Sequence, residues 1–162
     1  MLRLSKKADY ALIAMRHLAL RQPNGTSSSA REMAQAYDIP LELLAKVLQS
    51  LMRSRLLLSV QGTRGGYRLA RGAHGISVGD VIQAVDGPVT VTACSPDDHR
   101  CEQYSRCSIR DPLWRVRNRI VDALNTVTIA ELAAENETPP PPPVPVSHMV
   151  FMTPARLAGQ LR

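Results

Sequence analysis

Apolar residues recur at Ala8, Ala11, Leu12, Met15, Leu18 and Ala19, a three- and four-residue spacing that predicts an amphipathic helix with Ser5 placed to cap its start. The segment QPNGTSSS breaks that pattern. In SAREMAQAYDIP, Ser29 and Glu32 stand at capping-box spacing, so a short second helix is expected, ending before Pro40. Over residues 40–55 the apolar set Leu43, Leu44, Val47, Leu48 and Leu51 marks a third helix and leaves Glu42, Lys46, Gln49 and Arg53 on its other faces. Three short helices joined by tight turns form a helix-turn-helix candidate.

The period then shortens. LLLSVQGTRGGYRLAR holds two β-compatible runs, residues 56–60 and 67–70, separated by Gly62, Gly65 and Gly66 with Thr63 and Arg64 at the tip. This predicts a β-hairpin wing. A basic, glycine-rich hairpin directly after a recognition-type helix is the layout of winged-helix DNA binders, in which helix and wing approach neighbouring grooves or phosphates. The candidate DNA contacts are therefore Glu42, Ala45 and Lys46 near the start of the third helix, and Gln61, Thr63 and Arg64 in the wing. A hairpin that merely packs on the core is the alternative that paired glycines alone do not exclude.

In ISVGDVIQAVDGP, Ser77 and Asp80 again have capping-box spacing, and Gly87 with Pro88 stops the helix. Asp111 is the expected N-cap, with Pro112 at the first helical position, of a long helix running to about Asn125. Its stripe of Leu113, Val116 or Arg117, Ile120, Leu124 and Val127 exceeds what a small winged-helix core covers, which marks a dimerisation helix. Thr128 and Glu131 cap one final short helix, and the proline run that follows reads as an extended or disordered tail. The expected fold class is mainly α with a small β-hairpin wing: a winged helix-turn-helix plus a long dimerisation helix. Residues 1–75 form the DNA-binding domain, 76–135 the cysteine loop and dimerisation helix, and 136–162 the tail.

Charge sharpens this picture. Residues 1–75 carry twelve Lys or Arg against four Asp or Glu, whereas the remainder carries eight against ten. A basic first half suits a polyanion partner, because each neutralised phosphate releases condensed counterions. A solvated basic face without a partner is the plainer explanation of charge taken alone. The chain has 162 residues, 44% of them hydrophobic, enough for one modest packed domain with an appendage. Its first residues lack the apolar run of a secretory signal, and no stretch approaches the roughly 18 apolar residues of a membrane span. A soluble, cytoplasmic protein is expected, with no membrane partner.

All three cysteines, Cys94, Cys101 and Cys107, lie within ACSPDDHRCEQYSRCS. An odd number of clustered thiols in a reducing compartment points to ligation or redox chemistry rather than a structural disulfide. A structural zinc site is one reading, with His99 completing the three thiolates. An electron-transfer protein has no need of a basic wing. No nucleophile–base pair, phosphate loop or paired-carboxylate motif is visible, so no enzyme is expected.

Together, LRLSKKADYALIAMRHLAL, LLAKVLQSLMRSRLLLSVQGTRGGYRLAR, ISVGDVIQAVDGPV and the cysteine cluster resemble the Rrf-two family of bacterial winged-helix transcriptional regulators, over residues 1–133. Within it, the chain is most similar to regulators of the SUF iron–sulfur assembly system, through its opening, GGYRLAR and DGPVTVTAC. The resemblance implies a homodimeric repressor that binds near-palindromic double-stranded promoter DNA. It also implies an iron–sulfur cluster, 2Fe-2S or 4Fe-4S, held by Cys94, Cys101, Cys107 and one further ligand. In IscR-type members that ligand is a histidine three residues after the last cysteine, where this chain has Arg110, which cannot ligate a metal. In NsrR-type members it is an aspartate near the amino terminus, and Asp9 stands at the matching position. His99, Glu102, a small thiol or water are the alternatives, and Asp9 would otherwise be a first-turn carboxylate favoured by the helix dipole. The implied function is sensing of iron–sulfur, redox or nitric oxide status, with control of iron–sulfur assembly genes. Cluster loss would free the loop between Cys94 and Cys107, shift the long helix and change the spacing of the two recognition helices.

Overall fold

Three helices surround an alanine-rich stripe. In the computed structural model, which describes residues 3–62, 65–90 and 102–134, α1 (Lys6–Arg21) turns Ala8, Ala11, Ala14, Met15 and Leu18 inward. Short side chains along that stripe let neighbouring helices approach closely. α3 (Leu41–Arg53) packs against it through Leu44, Val47, Leu48 and Leu51, and α2 (Ala30–Tyr37) packs in turn on α3, adding Met33 and Ala34 to the same core. The Ser5 hydroxyl caps α1 by accepting from the Ala8 amide at 3.1 Å, and Ser29 caps α2 by accepting from the Glu32 amide at 3.1 Å. Asp38 ends α2 in the left-handed region at φ 51°, a conformation that Asp tolerates better than most residues. The short turn to α3 completes a helix-turn-helix.

The wing is β1 (Leu57–Val60) and β2 (Gly66–Leu69), antiparallel, with Leu57 opposite Leu69 and Val60 opposite Gly66. Leu57 and Leu69 are buried at its root, while Leu58 and Arg68 form an exposed pair. A third rung fixes the hairpin to the helices: the Ser28 amide donates to Tyr67 O at 3.1 Å and the Tyr67 amide to Ser28 O at 2.8 Å. Glycine is required at position 66, because a Cβ there would collide with the Ser28 backbone. The sequence places Leu56 in the first strand and carries the third helix to about residue 55. Instead Arg55 adopts φ 57° and breaks the chain between helix and strand.

Helix α4 (Val78–Asp86) opens with the expected capping box. The Asp80 amide donates to Ser77 Oγ at 3.0 Å and the Ser77 amide to the Asp80 carboxylate at 3.1 Å. The long α5 (Arg110–Thr126) crosses α4 closely enough that a side chain at Gly79 would meet Asn125. It starts two residues earlier than it would with Asp111 as N-cap. Asp111 sits in the first turn, where Arg110 Nε donates to its carboxylate at 2.8 Å, and no side chain caps the helix. After α5 the chain returns beside α4, with the Val78 amide donating to Val127 O and the Ile129 amide to Ile76 O, each at 2.9 Å. Thr128 and Glu131 exchange backbone-to-side-chain bonds at 3.2 Å and open α6 (Ile129–Ala134). α6 lies on α1, and Arg16 Nε donates to Leu132 O at 3.0 Å.

Candidate DNA interface and cluster-ligand residues

The inward stripe of α3 fixes what its opposite face presents. At about 100° per residue, burying Leu44, Val47, Leu48 and Leu51 turns Glu42, Lys46, Gln49 and Arg53 outward, and all four are exposed. Of the three helix residues proposed from sequence, Glu42 and Lys46 lie on this face. Ala45 lies half-buried at its edge. Gln49 and Arg53, not among the contacts expected from sequence, complete the row, and the i, i+4, i+7, i+11 spacing from Glu42 was the available signal. Lys46, Gln49 and Arg53 also border, with Lys7 of α1, a groove of about 230 Å3 floored by Leu43, Val47 and Val85. Arg53 is oriented by a 3.0 Å bond to Ser50 Oγ.

In the wing, Gln61 is exposed and Gly62 takes φ 126°, a conformation suited to glycine. Thr63 and Arg64 lie outside the described residues. Arg68 adds an exposed cation on the hairpin's outer surface.

Behind these elements a buried histidine joins three of them. His17 Nδ1 lies 3.0 Å from the Tyr37 hydroxyl of α2, and Nε2 lies 3.0 Å from the hydroxyl of fully buried Ser28, whose main chain holds the wing. A neutral imidazole donates through one nitrogen and accepts through the other, and each hydroxyl can do either. Burial lowers the His17 pKa below its ordinary value; the nearby Arg21 charge acts in the same direction and Glu32 opposes it. Arg21 and Glu32 themselves form a 2.7 Å ion pair. Among the described residues, no buried side-chain nitrogen or oxygen lacks a partner.

Of the candidate ligands, Cys94, Cys101 and His99 lie outside the described residues. Cys107 is a half-buried free thiol just before α5, Glu102 is exposed, and Asp9 is half-buried in the first turn of α1. Among the described residues no three His, Cys, Asp or Glu side chains gather into a metal-binding group. Asp9 nevertheless occupies an informative place. Its neighbour Ala8 packs on Val78 and Ile82 of α4, and the Ser5 hydroxyl donates to the Asp86 carboxylate at 2.7 Å. Three residues beyond Asp86, Val89 O accepts from Arg117 Nε of α5 at 3.0 Å, and that guanidinium stacks 5.1 Å above the Trp114 ring. Residues 86–89 are thus fastened to α1 on one side and to α5 on the other. Arg110 is engaged with Asp111, whose carboxyl it holds below the ordinary carboxylate range through that hydrogen bond and its charge.

Residues 4–135 match the model of a family, Rrf2, described as "Iron-dependent Transcriptional regulator". Over 137 residues the chain is 36% identical to the HTH-type transcriptional regulator IscR of Vibrio parahaemolyticus, covering 84% of this chain and 80% of that protein. The IscR of Erwinia tasmaniensis is 37% identical, with 84% and 81% covered. Among solved structures, CymR, the global cysteine regulator of B. subtilis, superposes with a TM-score of 0.67 at 26% identity, covering 86% of this chain and all of that one. T. potens IscR superposes with a TM-score of 0.66 at 26% identity, covering 83% and 88%. Among the described residues no helix is long and apolar enough to cross a membrane.

Proposed function

The chain belongs to the Rrf2 family, and from that premise we propose that it reads an iron–sulfur cluster through Cys94, Cys101 and Cys107 and converts cluster state into promoter affinity. It is a DNA-binding transcriptional regulator of the IscR type and not an enzyme. Residues 1–75 carry the DNA-binding surface in this reading, with Glu42, Lys46, Gln49 and Arg53 of α3 in the major groove and Gln61, Thr63 and Arg64 of the wing at an adjacent groove or phosphates. Residues 76–135 carry the sensor and the dimer contact. Exposed apolar side chains at the start of α5 support the latter: Ile109, just before the helix, is 61% exposed and Val116 is 45% exposed, while Leu124 near its end packs toward α4. Packing two such helices about a twofold axis would cover the exposed side chains of both.

The donor set fits a cluster. Three soft thiolates and a half-buried carboxylate are anionic ligands that iron accepts, and Asp9 is the carboxylate on an element joined to the stretch ahead of Cys94. When bound, the cluster supplies a group that responds to oxygen, redox poise and nitric oxide. An oxygen-ligated corner suits a sensor because it is more labile than a fourth thiolate. The genes of iron–sulfur assembly are the proposed targets.

The observation that carries this reading is the double fastening of the segment ahead of Cys94, by Ser5 to Asp86 and by Arg117 to Val89. Any rearrangement of the cysteine segment pulls on both α1 of the reading head and α5 of the proposed dimer. Anaerobic purification with iron and sulfide counts, an ultraviolet–visible spectrum, and DNA binding before and after cluster removal tests it. A brown or red protein whose operator affinity changes on cluster loss is expected. A colourless, zinc-containing protein would replace it with a winged-helix module stapled by a structural metal.

A further inference from the structure

Between the last turn of α1, the 3-10 turn Ala73–Gly75 and α6 lies a groove of about 600 Å3 that neither DNA nor cluster chemistry uses. Ala19 and Leu20 form one wall, Ala73 and His74 the base, and Ala130 and Ala133 the other wall. Leu20 is 49% exposed there. Walls built of alanine leave room that only larger side chains from elsewhere can fill, and an open apolar groove favours such an occupant. Ala134, the last residue of α6, is itself part of the lining, so residues 135–162 depart from the groove's own edge.

Those residues contain one run of consecutive large apolar side chains, Met149, Val150, Phe151 and Met152, including the chain's single phenylalanine. We propose that the groove is the docking site of this segment, with Phe151 between the alanine walls. The tether is long enough: an extended chain spans at most about 3.3–3.6 Å per residue, so the stretch from Ala134 to Met149 reaches roughly 50 Å. Prolines 139–143 cover about 16 Å of that if they adopt the polyproline rise, which leaves the rest of the span for a return to the groove. A short tether holds the segment at an effective concentration of about millimolar at its own groove. A second copy or a separate partner must bind more tightly to compete. Docking would clasp α6 onto α1 beside the Arg16–Leu132 bond. This inference stands independently of the cluster and DNA readings.

Hydrogen exchange on the full chain tests it, comparing the parent with Phe151→Ser. Amides of residues 19–22 and 130–134 should exchange about tenfold faster in the variant. A photo-cross-linking phenylalanine analogue placed at position 151 gives a second measurement on the folded chain. It should join residues 19–23 or 130–134 of the same chain, with a yield independent of protein concentration. Unchanged exchange overturns the proposal, as does a cross-link made only between chains, to another protein, or outside those stretches.

Discussion

The Ser5 hydroxyl donates to the Asp86 carboxylate at 2.7 Å while accepting from the Ala8 amide, so one side chain both caps α1 and ties it to the end of α4. The two roles separate by mutation. Asp86→Ala should leave DNA affinity of the cluster-loaded protein near its parent value but shrink the difference between loaded and cluster-free forms by about fivefold or more, the scale of a typical coupling energy. Ser5→Ala should do the same and also lose about 1 kcal/mol of stability from the missing cap. Fluorescence anisotropy on operator DNA and thermal unfolding separate these effects. An unchanged ratio in Asp86→Ala would remove this tie from the signalling route.

Asp9 and His99 divide the ligand question. Asp9→Ala is expected to assemble some cluster on the three thiolates, with an altered spectrum and faster loss in air, because the open corner admits water or oxygen. His99→Ala should be nearly silent. Replacing Cys94, Cys101 or Cys107 singly with Ala should abolish the stable chromophore while circular dichroism reports a folded protein. The opposite ranking of Asp9→Ala and His99→Ala would put the ligand inside the cysteine loop.

His17 gives the DNA-binding domain a pH dependence of known sign. Burial lowers its pKa in the folded protein, so the unfolded chain binds the extra proton more readily near the ordinary value of about 6.5. The stability this contributes is fully present above that value. It is lost progressively as pH falls through about 6.5 toward the lowered folded value, and does not change further below it. Thermal unfolding between pH 8 and 5 should therefore show a falling midpoint at the acid end, and His17→Gln should flatten that limb. An identical slope in the variant would assign the acid sensitivity elsewhere.

Local rules carried most of the fold into view from sequence. Ser5, Ser29, Ser77 and Thr128 all cap the helices expected of them, because caps depend on residues three apart. The wing followed from the same locality. What stayed hidden is set by contacts distant in sequence. Gly66 reads as turn chemistry but is required by the Ser28 backbone, and Ser28 reads as loop although it is fully buried beneath His17. Asp111 has the form of an N-cap, yet it lies inside the first turn, paired with Arg110. Gln49 and Arg53 were legible in principle, since helical period alone places them on the row of Glu42 and Lys46. The cysteines stand out in the sequence as a group, but Cys94 and Cys101 fall among residues 91–101, outside those described, and only Cys107 is placed, just before α5.

The reading surface itself makes a graded prediction. Arg53 and Lys46 lie on the exposed face of α3 and border the same groove as Lys7, while Arg64 sits at the wing tip in sequence. If Arg64 contacts one phosphate, Arg64→Ala should weaken binding to all sequences similarly and reduce the slope of log affinity against log salt by about 1. Arg53→Ala should behave the same way if it too meets a phosphate. Gln49→Ala, on a side chain able to donate and accept at a base edge, should instead leave the salt slope unchanged and cost about 1–3 kcal/mol on the operator alone. Anisotropy titrations on operator and scrambled duplexes at several salt concentrations resolve the three. A Gln49→Ala loss equal on both duplexes would move Gln49 from base reading to backbone positioning, and an unaltered slope in both arginine variants would place the phosphate contacts on Lys7 and Lys46 instead.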